Sequence, residues 1–301
     1  MRRLIFCAYI AAGAESSLQA QQVPGRDLLR FPLGIGAASP ALGEEAGAEL
    51  WNPAAGDAPG KARFVFGASA LDAPQELGVS AQLLSGRVRL DRAGSLAAHL
   101  SVARAAVDGL VRTETDPQSV ADDVPYGTLL FSLGAVSQRG RHLALGAALR
   151  YRTGRADGVR RSALSLDVGA VADSLLGGRV RVGASTFLWR PGSPRGEGAT
   201  YIAGADARAW RRARLAEFRL GYAATASSGA PLEHYALATL RSHGVDATAG
   251  VLRTQSYGHA NVRPRLGVGL HYARYVVGIA REESGAGLGP TYQFMLSTSV
   301  Q

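Results

Sequence analysis

The chain has 301 residues, 47% hydrophobic and 19% charged, and its net charge of +9 is carried almost wholly by arginine, Lys61 being the only lysine. The arginines are spread rather than gathered into one patch, which argues against a nucleic-acid partner. The 38 glycines follow no collagen period, and the single cysteine, Cys7, excludes a disulfide framework and a thiolate metal site.

Residues 1–20 have the layout of an export signal. Arg2 and Arg3 form a basic start, and Leu4 to Ala14 is an apolar run too short to span a bilayer as a helix. Leu18-Gln19-Ala20 offers a cleavage site before Gln21. An exported chain with no further long apolar run is periplasmic, secreted or a barrel.

Gly34 to Ala55 is unlike anything later in the chain. Ser39-Pro40 is a helix-start signal, with a hydroxyl to cap and proline at the first helical position. Glu44 and Glu45 follow in the early turns, where negative charge suits the helix dipole. Leu42, Ala46 and Leu50 share one face, and Pro53 stops the run after Asn52. The pattern predicts a helix over Pro40–Trp51. Gly34-Ile35-Gly36-Ala37-Ala38-Ser39 is a near miss to a dinucleotide fingerprint, with no strand before it and no βαβ pattern after it, so no such cofactor is expected.

Residues 61–301 alternate with period two, as strands do when one face meets lipid and the other a wet lumen. The clearest cases are Arg141–Thr153, Leu164–Ala172, Arg179–Trp189, Ala216–Ala224 and Arg265–Tyr272. Further candidates are Arg63–Leu71, Glu76–Leu83, Ser95–Ala103, Val107–Thr115, Tyr126–Ser137, Thr200–Trp210, His234–Arg241, Val245–Thr254, Tyr275–Arg281 and Tyr292–Val300. An even-numbered transmembrane antiparallel β-barrel of about 14 strands accommodates this series. The links Asp116–Pro125, Arg190–Ala199 and Ser227–Glu233 are the longer ones, hence candidate surface loops. Tyr151, Trp189, Tyr201, Trp210, Tyr222, Tyr257, Tyr272 and Tyr292 lie near strand ends, where aromatic girdles belong. Three parts result: an export signal (1–20), a short helical plug or latch (21–60) and an all-β barrel (61–301).

Ala41-Leu42-Gly43-Glu44-Glu45-Ala46 followed by Trp51-Asn52-Pro53-Ala54 resembles the N-terminal segment of the PorV/PorQ outer-membrane proteins, relatives of the FadL-type barrels. The departures are Gly43 where alanine is usual, a Glu pair for an Asp pair, and Ala55-Gly56 where glycine commonly follows directly. The resemblance implies a cell outer-membrane location and a segment packed inside or across the barrel mouth. It also implies a role in protein secretion, with secretion-system components or exported cargo as partners alongside outer-membrane lipid. A FadL-like passive channel for hydrophobic small molecules is the alternative, and a secreted soluble β-protein the second.

No HExxH, no histidine pair at metal spacing and no G-x-S-x-G turn is present, so neither an enzyme nor a metal or cofactor is expected. His99 and Ser101 share a strand face, as chance allows on a wet wall. The alternation assigns Arg150, Arg152, Asp167, Arg179, Arg181, Glu217, Arg219 and Arg265 to the lumen side. Such mixed-sign ladders favour ion pairs that hold a plug and disfavour an open apolar tunnel. Glu44, Glu45 and Glu49 suit an arginine-lined lumen electrostatically, so the segment is expected to dock inside the barrel.

Overall fold

A computed structural model describes residues 23–300 except 31, 57–61, 74–77, 92–94, 111–123, 141, 192–197, 213–214, 229, 257–258 and 284–289. Residues 1–20, expected to be an export signal, and Tyr257 lie outside the described residues.

Fourteen strands form the wall: β1 (Phe64–Asp72), β2 (Val79–Arg89), β3 (Leu96–Val107), β4 (Tyr126–Arg139), β5 (Leu143–Ala156), β6 (Val159–Ser174), β7 (Val180–Phe187), β8 (Thr200–Arg212), β9 (Ala216–Ser227), β10 (Glu233–Ser242), β11 (Val245–Ser256), β12 (His259–Tyr272), β13 (Tyr275–Glu282) and β14 (Thr291–Val300). Each pairs antiparallel with its sequence neighbours, and β1 closes on β14, leaving no edge. Closure satisfies the backbone groups that an open edge would leave bare in lipid.

The period-two pattern decides which way each side chain points. On β5, Leu145, Leu149 and Tyr151 are exposed, while Arg150 and Arg152 between them are 0% and 2% exposed. Leu133, Leu164, Leu220, Leu266 and Leu296 continue the outer apolar belt. Tyr201 and Tyr292 mark one rim and Trp210 and Tyr272 the other.

Links that follow odd-numbered strands gather at one rim, and they include 108–125, 188–199 and 228–232. The opposite rim carries short turns such as 243–244 and 273–274. All three links expected to be surface loops therefore share one rim. Of the expected strand Val107–Thr115, Val107 ends β3, residues 108–110 are not strand, and 111–115 lie outside the described residues.

The segment before β1 threads the lumen from the long-loop rim to the short-turn rim. At the first, the Arg152 guanidinium donates to the carbonyls of Val23 (3.0 Å) and Pro24 (3.1 Å), and the Tyr126 hydroxyl donates to Asp27. Near the second, Glu44 meets Arg181 and Arg241 at the lower ends of β7 and β10. Leu29, Leu33, Ile35, Leu50 and Trp51 form one buried apolar core with Leu83, Leu130, Phe187 and Ile202 of the wall. Ala223, Tyr235 and Leu252 on β9 to β11 form a separate small cluster.

The expected helix over Pro40–Trp51 is absent; only the short 3-10 turn Ala48–Leu50 forms within it. The start signal produces a single turn, in which the Ala41 N–H meets Ser39 Oγ at 3.3 Å and the Leu42 N–H meets the Ser39 carbonyl at 3.1 Å. Gly47, at φ 110°, then takes a left-handed conformation that no helix interior allows. A straight rod would also leave much of the lumen unfilled, whereas the coiled chain reaches several wall strands.

Wall glycines seat this coil. A Cβ on Gly146 of β5 would stand 2.2 Å from the Pro53 carbonyl oxygen, and one on Gly169 of β6 would stand 2.0 Å from Asn52 Oδ1. Overpacking of this kind typically costs about 1–3 kcal/mol. Gly169→Ala is therefore expected to lower the urea midpoint of the refolded barrel and expose residues 34–56 to protease. An unchanged midpoint and protease pattern would contradict the seat.

Candidate functional site

Three consecutive residues fix the floor of the lumen. The Trp51 indole N–H donates to the Leu33 carbonyl (2.8 Å), and its ring stacks on Phe187 with centroids 5.0 Å apart. The Ser185 hydroxyl donates to the Trp51 carbonyl at 2.8 Å. Asn52, fully buried, donates to the carbonyls of Ala41 (2.8 Å) and Ala170 (3.4 Å) and accepts from the Ala54 N–H (3.0 Å). The side-chain amide thus does in the interior what water does for a surface loop. Pro53 is fully buried beside it, and Leu42 is buried against Gly183 of β7.

Charges anchor the rest of the segment. Arg150 and Asp167 form a fully buried pair at 2.8 Å, and the Arg150 guanidinium lies over the Phe187 ring at 4.8 Å. Asp167 also accepts from the N–H groups of Leu188 (3.0 Å) and Trp189 (2.8 Å), which ties the start of the 188–199 loop to the wall. Lower down, Arg181 joins Asp206 of β8 (2.5 Å) to plug residue Glu44. Arg219 joins Asp206 to Glu217, the latter at 2.7 Å. Arg241 joins Glu44 (2.7 Å) to Asp246 (3.3 Å). At the long-loop half, Glu282 holds Arg263 (2.8 Å) and Arg265, whose guanidinium lies 4.9 Å from the Tyr235 ring centroid.

Seven of the eight charges assigned to the lumen from the alternation take part in these contacts. Arg179 does not: it is exposed at the turn before β7, because that strand begins only at Val180. Asp206, Arg241, Asp246 and Glu282 were not singled out in the sequence. Parity finds them, since Asp206 is in step with buried Ile202, Arg241 with buried Tyr235, and Glu282 with buried Ala280.

Above the floor lies a cavity of about 800 Å³ toward the long-loop rim. Trp51, Phe187, Ile202, Tyr235 and Leu252 line its apolar side; Thr225, Glu233, Arg263 and Glu282 line the other. Among the described residues no group of three or more His, Cys, Asp or Glu is placed to hold a metal ion.

No protein-family pattern matches the chain, and no curated protein matches its sequence. Solved structures do match its shape. The toluene transporter TodX of Pseudomonas putida aligns with a TM-score of 0.56 at 11% identity, over 93% of this chain and 98% of that one. Omp33 of Acinetobacter baumannii aligns at TM-score 0.47 and 8% identity, over 79% of this chain and 98% of that one. A porin mutant of Rhodopseudomonas blastica aligns at 0.44 and 8%, over 78% and 98%. The closed wall and the apolar belt define an outer-membrane antiparallel β-barrel of fourteen strands, and the first of these likenesses is one of fold.

Glu45 supplies the site's pH dependence. Its carboxyl is pushed up to about 7, mainly by desolvation inside the barrel. The Glu44 N–H donates to it at 3.0 Å, Arg241 opposes the shift and Asp246 adds to it. An acid whose pKa is higher in the folded state favours folding at low pH, and that advantage fades as pH rises through about 7. The barrel is expected to melt at a higher temperature at pH 5.5 than at pH 8.5, with Glu45→Gln removing most of the difference. An equal pH response in that variant would rule out Glu45 as its source.

Proposed function

We propose that the protein is a noncatalytic transport barrel that admits small amphipathic molecules from the long-loop side. The observation that carries this reading is the cavity of about 800 Å³ above Trp51, which is within the size range of small-molecule sites. An apolar body would lie against Trp51, Phe187, Ile202 and Leu252. A polar group would face Thr225, Glu233 and Arg263. Because Glu233, Glu282, Arg263 and Arg265 offset one another, the cavity favours a neutral polar group over a strongly charged one. The likeness to a toluene transporter supports the fold of this reading, while the substrate follows from the lining.

The PorV/PorQ resemblance gives a second reading, in which the long-loop rim receives exported protein. What supports it is the Trp51-Asn52-Pro53 turn on which the resemblance rests, a turn whose side chains are buried. That turn acts here by packing, so it does not distinguish secretion from transport. A deletion strain that exports and anchors all such cargo normally would remove the second reading.

The transport reading is tested with the purified barrel and an uncharged fluorescent aromatic amine such as N-phenylnaphthylamine. Leu252→Arg, at the cavity wall, is expected to weaken binding at least about tenfold by placing a charge where an apolar body would sit. Equal binding by wild type and variant, or none by either, would contradict the cavity's role.

A further inference from the structure

The segment fills the lumen unevenly, and the unfilled side has a definite course. The continuous apolar core joins the segment to β1 through β8, whereas the inner faces of β9 to β11 contribute only the small Ala223–Tyr235–Leu252 cluster. Three voids follow one another down this side. The upper cavity ends at Ala223 of β9 and Tyr235 of β10, where the Tyr235 hydroxyl donates to the Ala37 carbonyl of the segment at 2.6 Å. The next inward positions on those strands, Gly221 and Leu237, line a void of about 60 Å³. Below it, Glu44, Arg241 and Asp246 also line a third space of about 480 Å³ at the short-turn rim.

The middle void is a charged neck. Glu44, Glu45, Asp206 and Asp246 face Arg181, Arg219 and Arg241 across it, so the carboxylates exceed the guanidiniums by one above about pH 7, where Glu45 is ionised, and balance them below it. Its volume suffices for one or two waters and excludes any molecule that would fill the upper cavity. The neck is acidic although the protein as a whole carries +9, so the excess is local.

We propose that these voids form a narrow wetted path along the β8–β11 wall that passes small monovalent cations, with Glu44 and Arg241 at its neck. The path goes beyond the uptake of amphipathic molecules and shares with it only the upper cavity. Its physical basis is that of charged rings in channels, where the sign of the lining selects the ion. Glu44 is the decisive group because it sits on the plug and faces the wall arginines Arg181 and Arg241. Those arginines keep Asp206 and Asp246 as partners when Glu44 is removed.

The full mature barrel in planar bilayers under a potassium chloride gradient tests this. At pH 8.5, where Glu45 is ionised, wild type is expected to show a small steady conductance with cations favoured by about threefold or more. Glu44→Gln should bring the permeability ratio toward one, and Arg241→Gln should raise it. Leu84→Ala, a change on the outer face, should leave it unmoved. Retained heat-modifiable migration shows that each variant has folded, and Arg241→Gln carries the test alone if Glu44→Gln does not fold. A wild type that seals the bilayer, or a ratio that neither variant moves, would overturn the proposal. N-phenylnaphthylamine binding is read separately, so loss of the path and loss of the uptake reading give different results.

Discussion

A closed sheet of fourteen strands encloses more space than its own inward side chains fill, and the rest of this molecule answers that constraint. Residues 23–56 supply the missing interior. They run through the lumen as a coil, burying Leu33, Ile35, Leu50 and Trp51 against the wall. Because the coil is not a regular element, its backbone groups need individual partners inside the barrel. Asn52 and Ser185 meet part of this need, and wall glycines let the backbone come close enough to be met.

Filling is complete on one side only. Toward β1 through β8 the contact is apolar and continuous, so the segment is seated there as a fixed floor. Toward β9 to β11 it makes one buried bond, from the Tyr235 hydroxyl to the Ala37 carbonyl, and otherwise presents carboxylates to arginines with space between them. Ion pairs of this half-buried kind orient groups more than they stabilise them, because desolvation offsets much of the attraction. The asymmetry separates two tasks: the apolar side holds the floor in place, and the charged side shapes the spaces that connect the two rims.

The wall could be read from sequence because a barrel strand repeats every two residues, and that signal survives in β5, where leucines alternate with Arg150 and Arg152. For the plug, the sequence offered only the acidic Glu44, Glu45 and Glu49 against an arginine-lined lumen, together with the family resemblance, as reasons to expect it inside. Its conformation was not legible. Ser39-Pro40 and the acidic pair obey helix rules, but those rules presume that nothing outside the segment competes. Here the approach of Gly47 to Leu83 and of Asn52 to Gly169 decides the backbone instead. The neck was only half legible for a related reason. Arg181 and Arg219 declare themselves by strand parity, whereas the meeting of Glu44 with Arg241 joins residues far apart in the chain and depends on how the coil lies.

Every feature of the lumen depends on residues 34–56 being a folded part of the barrel interior. Hydrogen–deuterium exchange of the intact barrel in lipid measures this most directly. Amides of Trp51, Asn52 and Ala54 should exchange as slowly as those in the middle of β5 and β6. Exchange of these amides at the rate of an unstructured peptide, while the strands stay protected, would show that the segment is not a folded part of the interior.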